Sequence, residues 1–200
     1  RSANGTDLKV GLIPEALFLG GAERCPVNGV LYDPNIPSEE LFITPKAGSA
    51  EGIVHATMPL VFQGILIEDF WLRFEGGKVT ELHAEKNEEA LRTLVSMDEG
   101  AAMLGECALV PYASPIRESG ILFYNTLFDE NAACHLALGR GYSSNIRDYE
   151  NYSLEELRAM GVNDSMVHED FMIGSEDLSI TGVTAAGERV AIFRDGGWAF

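Results

Sequence analysis

Met166-Val167-His168-Glu169-Asp170-Phe171-Met172-Ile173 is the stretch that decides both the fold class and the chemistry of this chain. Its apolar and aromatic residues are typical of a β-strand, and strand side chains two positions apart project from the same face. His168 and Asp170 are therefore expected side by side, with the other face of the strand in the core. A buried imidazole and carboxylate need a partner, and a metal ion suits both. The stretch thus favours a metal-binding strand.

Two upstream segments also place acidic or imidazole side chains among small and apolar neighbours. They are Gly105–Pro111 (GECALVP) and Phe128–Leu136 (FDENAACHL). Glu106 stands at the expected start of a strand, where an isolated Glu is about as often a surface residue as a ligand, because Glu is rarely buried unless it is paired. Together the three segments predict one convergent, carboxylate-rich metal site.

The second of these segments is predicted to form a helix over about residues 129–139, closed by Gly139 or Gly141. A lone His135 on such a helix is more often a hydrogen-bonded core histidine than a ligand. Glu130 lies five positions before it, about 140° around a helix of 3.6 residues per turn. Helical spacing alone therefore does not bring this pair to a common ion, unless Glu130 precedes the first regular turn.

Spacing alone predicts ordinary structural roles for four further residues. Glu40 alternates outward from an apolar strand and is expected to be solvated, and Tyr142 follows the predicted helix end and is expected to pack within a loop. His55 and His83 have no acidic or imidazole neighbour at a suggestive spacing. The residues alone thus favour oxygen and imidazole ligands without thiolate, a set that suits zinc, cobalt or manganese.

Length and composition predict a single domain over residues 1–200, of which 46% are hydrophobic. No run of about 18 apolar residues is present, so a transmembrane helix is not expected. The three cysteines are odd in number and lack CxxC spacing, which disfavours a disulfide framework and a thiolate zinc site and favours a reducing, cytoplasmic setting. The sequence begins without Met, which predicts a fragment or a processed chain.

The charge of the chain excludes one class of partner and favours another. There are 31 acidic and 14 basic residues, a formal net charge of −17. Such a field repels phosphate backbones, so nucleic acid is not expected as a partner. The same field attracts cations, including metal ions and the ammonium end of a peptide, although solubility is its simplest consequence.

The predicted fold is α+β: a mixed, strand-dominated domain with a few helices and a metal site between strands and a helix. Strands are expected at 6–12, 40–44, 52–57, 64–74, 78–84, 167–173, 178–184 and 189–194. Helices are expected after an N-cap at Asn87, with residues 98–105 continuing it or forming a second, over 129–139, and from the capping box at Ser153 to Gly161. Residues 20–37 are predicted to form a long loop, and Gly76-Gly77 and 195–197 turns.

Several runs of the sequence resemble the thermophilic metalloaminopeptidases, the family of aminopeptidases T and S. The runs are Glu106–Pro111, Ser114–Ile116, Phe123–Gly139 and His168–Gly174, and the similarity extends to Gly5–Leu8, Asn35–Phe42 and Leu66–Phe70. The resemblance covers nearly the whole chain, and its long central run is specific.

The resemblance implies a metal-dependent exopeptidase that hydrolyses the N-terminal residue of peptides. It implies a cytoplasmic homodimer of about twice this length, of which this chain would be the C-terminal, metal-bearing domain. It also implies two divalent ions, zinc or cobalt, with magnesium or manganese as the alternatives. Carried over position by position, the implied ligands are Glu40, Glu106, Glu130, His135, His168 and Asp170. Glu106 is the implied bridge, Tyr142 the catalytic tyrosine, and Glu40 or Glu130 the general base.

Two departures from the family pattern stand in the chain. Residues 25–33 form an unusual loop sequence where a shorter connection is expected, and Cys107 stands beside Glu106 where a small aliphatic residue is expected. If the absent half of the family's length shapes the substrate pocket, the alternative is a non-catalytic metal-binding or dimerisation module. A third reading is an acidic globule whose His and Glu residues are ordinary.

Overall fold

The computed structural model describes residues 1–25 and 27–200, and it confirms the strand-dominated α+β fold. Its strands are β1 (Asp7–Lys9), β2 (Glu23–Arg24), β3 (Leu31–Tyr32), β4 (Leu41–Ile43), β5 (Glu51–His55), β6 (Leu60–Phe62), β7 (Ile65–Glu75), β8 (Lys78–Lys86), β9 (Leu104–Leu109), β10 (His135–Gly139), β11 (His168–Met172), β12 (Ile180–Val183), β13 (Arg189–Arg194) and β14 (Gly197–Trp198). Its helices are α1 (Glu88–Val95), α2 (Pro115–Glu118), α3 (Thr126–Asp129) and α4 (Leu154–Met160), with 3₁₀ turns at Glu130–Ala132, Ser143–Asn145 and Tyr149–Asn151. None of the described helices has the length and apolar character that a bilayer-spanning helix needs.

The larger sheet runs in the order β1-β5-β7-β6, with β8 also paired to β7. From Phe70 onward β7 alternates buried and more exposed residues, which is the period of a strand with one face in the core. Gly76 and Gly77 both have positive φ and make the predicted tight turn from β7 to β8. Helix α1 covers the buried face of this sheet with Leu91 and Leu94.

The smaller sheet runs in the order β11-β10-β9-β4 and is antiparallel throughout. Ala137 on the central strand β10 lies opposite Glu106 on β9 and opposite Asp170 on β11. Residues directly opposite one another share a face, so both carboxylates project from the same face across a small methyl group. The other face of β10 buries Leu136 and Leu138 in the main core.

The helix predicted over 129–139 is wrong in its second half. Helix α3 ends at Asp129, the 3₁₀ turn occupies Glu130–Ala132, and His135–Gly139 is the strand β10. All five residues of β10 are buried, so apolar side chains occur on both faces and their periodicity does not separate a strand from a helix. Gly139 ends the strand β10 and not a helix. Its φ is +98°, and a Cβ there would lie 2.1 Å from the Val167 carbonyl oxygen, so the position requires glycine.

The helix considered at 98–105 is also wrong. The Asp98 carboxylate accepts the Ala101 N–H at 2.9 Å, which closes a turn, and the chain then enters β9. At the start of α1, Asn87 holds the N-cap position without capping through its side chain, which donates to the Leu66 carbonyl instead. The capping box at Ser153 and the helix end at Gly161 are confirmed for α4.

The remaining differences concern short strands. The loop predicted over 20–37 contains the two-residue strands β2 and β3, which pair with each other. Pro26, in the unusual 25–33 stretch, lies outside the described residues. Strands β6 and β14 were not predicted, because two or three residues are too few for a periodic pattern.

Candidate metal centre

One face of the smaller sheet collects five of the six residues that the resemblance implies as ligands. They form two groups, each with its ligand atoms within 4.8 Å of one another: Glu40, Glu106 and His135 in one, and Glu106, His168 and Asp170 in the other. Glu106 belongs to both groups. Glu130 belongs to neither of them among the described residues.

The first group is organised around a buried imidazole. His135 Nε2 lies 3.0 Å from Glu40 Oε2 and 3.9 Å from Glu106 Oε1. Its Nδ1–H faces the Ala133 carbonyl oxygen at 3.2 Å, which holds the ring so that Nε2 points at the carboxylates. Metal-binding histidines are oriented in this way, with the second ring nitrogen bonded to a backbone carbonyl.

The second group repeats the arrangement on β11. His168 Nε2 lies 3.2 Å from Glu106 Oε2 and 3.5 Å from Asp170 Oδ1. Its Nδ1–H faces the Arg140 carbonyl oxygen at 2.7 Å. The Tyr142 hydroxyl is 3.2 Å from the same Nε2 atom. The two carboxylate oxygens of Glu106 therefore face two different imidazoles.

Unpaired buried atoms show that these residues fit a cation. Glu40 Oε2, His135 Nε2 and Asp170 Oδ1 are buried and make no hydrogen bond to any described residue. The short contact between Glu40 and His135 lacks hydrogen-bond geometry, so it does not satisfy either atom. Leaving a buried polar atom unpaired costs about 1–3 kcal/mol, and a divalent ion among these oxygen and nitrogen donors would remove that cost.

The electrostatics of the two groups favour positive charge. Burial opposes the charged form of His135, but Glu40, Asp170 and Glu106 outweigh it and raise its pKa to about 10. Burial likewise opposes the charged form of His168, yet the nearby carboxylates of Asp170 and Glu106 raise its pKa to about 11. In the absence of a cation, protons on the imidazoles thus supply the positive charge that the carboxylates attract.

Glu130 and Tyr142 stand at the margin of the two groups. Burial, followed by the negative charge of Asp170, raises the pKa of Glu130 to about 8. Burial, followed by the charge of Glu106, raises the pKa of Tyr142, so its phenol stays protonated and can donate. The Tyr142 ring is held edge-on against Phe42, with centroids 5.4 Å apart.

Several expectations from spacing are wrong in this region. Glu40 is not solvated, because its side chain faces His135 in the interior. Glu106, for which spacing left a surface position and a ligand role open, is 3% exposed. His83 does have acidic partners, since its ring nitrogens contact Glu85 and Glu88 on the larger sheet. That Glu40, Glu106, Glu130, His135, His168 and Asp170 are metal ligands, and Tyr142 catalytic, stays a prediction.

Neutral side chains that support the two groups were not predicted from the sequence. The Asn131 carboxamide oxygen accepts the Glu39 N–H at 2.7 Å, beside Glu40, and Asn163 donates to the Gly139 carbonyl at 2.6 Å. The Thr44 hydroxyl donates to the Gly105 carbonyl at 2.8 Å. Each of these side chains forms a hydrogen bond with a segment that is remote in sequence, so no spacing pattern identifies it. The available signal in the sequence is a polar residue within an otherwise apolar run.

The cysteines take no part in either group. Burial raises the pKa of Cys107 and of Cys134 to about 12 each, so both remain thiols at neutral pH. The three cysteines are all free in the described residues. The ligand donors near the site are thus oxygen and imidazole nitrogen.

Comparisons with known proteins point to one family. A family model described as thermophilic metalloprotease (M29) matches residues 1–198. Aminopeptidase AmpS of Bacillus subtilis (strain 168) is 50% identical over 198 residues, which are 99% of this chain and 48% of that protein. Aminopeptidase T of Thermus aquaticus is 48% identical over 194 residues, 97% of this chain and 47% of that protein.

A solved structure has the same fold. The structure described as wild-type AmpT from Thermus thermophilus superposes with a TM-score of 0.92 at 44% identity, over 100% of this chain and 49% of that one. The chain therefore spans about half the length of the relatives it matches.

Proposed function

The chain belongs to the thermophilic metalloprotease family M29, and from this membership we propose that it forms the metal-bearing part of an aminopeptidase. The proposed reaction is hydrolysis of the first peptide bond of substrates with a free N-terminus. The observation that carries the proposal is the pair of ligand groups that share Glu106.

We propose that the two groups hold two divalent ions, zinc or cobalt. Glu40 and His135 would bind one ion, His168 and Asp170 the other, and Glu106 both. The separate contacts of Glu106 Oε1 with His135 and of Oε2 with His168 support a bridging role. A carboxylate shared between two ions is the arrangement of many two-metal hydrolases.

When bound, the ions would supply a Lewis acid for the scissile carbonyl and lower the pKa of a water toward about 7. The Tyr142 phenol, held against Phe42 and kept protonated, can donate a hydrogen bond to the carbonyl oxygen as it becomes negative. The proton of the attacking water needs an acceptor among the carboxylates. Glu130 is the better candidate, because Glu40 already faces His135 whereas Glu130 lies outside both groups.

The restriction to the first residue would come from the free N-terminus of the substrate. Its amine could bind one of the ions, and the net charge of −17 favours the approach of the ammonium form. An acylated N-terminus lacks that charge and would not be held. Dimerisation, a cytoplasmic location, and the place of residues 1–200 as the C-terminal domain of a longer protein stay predictions from the resemblance.

The first test is metal content together with hydrolysis of leucyl-p-nitroanilide. We expect about two ions per chain, as in two-metal hydrolases, with turnover that a chelator removes and added zinc or cobalt restores. N-acetyl-leucyl-p-nitroanilide is expected to resist hydrolysis. Cleavage of the acetylated compound at a similar rate would contradict the exopeptidase assignment, and a chain that binds no ion would contradict the site.

Tyr142→Phe tests the role of the phenol. The substitution keeps the ring against Phe42 and removes the donor, so kcat is expected to fall by about 10²–10³ with metal content unchanged. Tyr149→Phe, in a 3₁₀ turn with an exposed ring, is the matched control and should retain wild-type kcat. A wild-type kcat for Tyr142→Phe would remove this residue from the mechanism.

A second candidate is a metal-binding module that does not turn over by itself. The observation that favours it is that the chain spans about half of each relative. Two ions per chain without hydrolysis of the free-amine substrate would support this candidate. Turnover by the chain alone would exclude it.

A further inference from the structure

Thr44 is a buried polar residue that the proposed mechanism does not use. It follows β4 directly, and its relative exposure is 0%. A threonine hydroxyl in the interior requires hydrogen-bond partners, because an unpaired one would be costly. Its partners come from two segments that are remote in sequence.

Both hydrogen bonds of the hydroxyl lead to the metal centre. Thr44 Oγ1 donates to the carbonyl oxygen of Gly105 at 2.8 Å, one residue before Glu106. The same oxygen accepts the backbone N–H of Tyr142 at 3.2 Å. One hydroxyl thus joins the backbone that carries the shared carboxylate to the backbone that carries the phenol.

The fit around this hydroxyl is close. A Cβ at position 141 would lie 2.2 Å from Thr44 Oγ1, so Gly141 is needed for the backbone to pass there. On the same stretch, the Arg140 carbonyl oxygen receives the Nδ1–H of His168. The segment 140–142 therefore meets the Thr44 hydroxyl on one side and the second ligand group on the other.

We propose that Thr44 is a positioning residue that holds Glu106 and Tyr142 in register with each other through its hydroxyl. The inference rests on the proposed function, since it concerns how the chain prepares the proposed metal site. Thr44 touches neither the ligand atoms nor a substrate; it acts on the two backbones. Groups that orient metal ligands typically change metal affinity or activity by about 10- to 100-fold when they are removed.

The test compares Co²⁺ binding by four forms of the chain, followed by visible absorption at a temperature where each is fully folded by circular dichroism. Thr44→Val removes the hydroxyl at nearly constant shape, and Thr44→Ser restores it. Thr6→Val is the matched control, because Thr6 is also buried and its hydroxyl accepts a backbone N–H, that of His55 at 3.0 Å, on the larger sheet. If Thr44→Val does not fold, Thr44→Ala takes its place.

We expect Thr44→Val to raise the Co²⁺ dissociation constant by about 10- to 100-fold and to alter the absorption spectrum of the bound Co²⁺. Thr44→Ser and Thr6→Val are expected to match the wild type, which separates positioning from a general loss of stability. Equal dissociation constants for Thr44→Val and Thr6→Val would overturn the inference and leave the proposed function standing. A wild-type chain that binds neither Co²⁺ nor Zn²⁺ would overturn both.

Discussion

The two main sheets each carry two histidines and treat them differently. On the larger sheet His55, Trp71 and His83 lie in one row across β5, β7 and β8, and the His83 side chain is 44% exposed. Its two ring nitrogens lie 2.7 Å and 3.3 Å from carboxylate oxygens of Glu88 and Glu85. On the smaller sheet the His135 side chain is 1% exposed.

The difference indicates what the proposed metal site has beyond a histidine between carboxylates. His83 satisfies both of its nitrogens with solvated carboxylates, so a cation would have to displace existing hydrogen bonds. His135 bonds a backbone carbonyl through Nδ1 and leaves Nε2 without a hydrogen bond to any described residue, in a buried position. Burial and the unpaired atom, and not the carboxylates as such, distinguish the smaller sheet.

Neutralising one carboxylate in each sheet is the most direct test of this difference. Glu106→Gln removes the charge that both ligand groups share, and its NH₂ group cannot act as a ligand. We expect metal affinity to fall by more than about 100-fold, beyond the effect of losing a supporting group, with loss of turnover. Metal titration and elemental analysis provide the measurement.

Glu85→Gln is the corresponding change on the larger sheet, where the carboxylate contacts the exposed ring of His83. Metal content and affinity are expected to remain those of the wild type. If Glu85→Gln lowered metal content as much as Glu106→Gln, the distinction between the two sheets would be lost.

The pH dependence of stability provides a second test of the charge balance in the smaller sheet. It is measured on the chain freed of metal by a chelator, called the chelated chain below. In the folded chain the pKa values of His135 and His168 are raised to about 10 and about 11. Protonation of these imidazoles therefore stabilises the fold fully below about pH 6.5, and this contribution is lost as the pH rises toward the folded pKa values. The pKa of Glu130, raised to about 8, acts in the same direction between about pH 4.5 and 8, because the folded chain keeps a proton that the unfolded chain has released.

The midpoint of thermal unfolding of the chelated chain is therefore expected to fall by roughly 5–10 °C from pH 5.5 to 8.5. Saturating zinc should reduce or reverse the fall, since ligands bind metal in their deprotonated forms. Glu130→Gln should flatten the curve of the chelated chain. A midpoint that rises over this range without metal would contradict the charge balance inferred for the smaller sheet.

A smaller effect, on stability alone, is expected where Asp98 connects the end of α1 to the start of β11. Asp98 follows α1, which packs on the larger sheet, and accepts the N–H groups of Ala101 and Met166, the latter just before β11. These bonds, led by that from Met166, lower the pKa of Asp98. Asp98→Ala removes these hydrogen bonds to a charged carboxylate and should reduce the free energy of unfolding by about 1–3 kcal/mol, with metal content unchanged.

Urea unfolding of the chelated chain measures this change. Asp164→Ala breaks only an exposed ion pair with Arg158 and should cost under about 0.5 kcal/mol. An Asp98→Ala chain as stable as the wild type would show that the connection between α1 and β11 does not depend on this carboxylate.

The sequence predicted the elements whose signals are local. Gly76-Gly77, the Ser153 capping box and the apolar and aromatic residues of 167–173 specify a turn, a helix start and a strand, respectively, from neighbouring residues. The prediction failed at 129–139, where burial on both faces removes the alternation that marks a strand. It also placed Glu40 in solvent, because the partner that buries it lies 95 residues away.

For the site, local sequence was enough to predict that His168 and Asp170 share a face, because the two-residue period of a strand is local. It also carried the family resemblance that points to Glu40, Glu106, Glu130, His135 and Tyr142. Three features became visible in the folded chain alone: Glu106 and Asp170 lie on either side of Ala137, backbone carbonyls orient both imidazoles, and Thr44 joins two distant segments. The reason is that strand register and buried hydrogen bonds depend on the packing of segments far apart in the chain, on which local patterns carry no information.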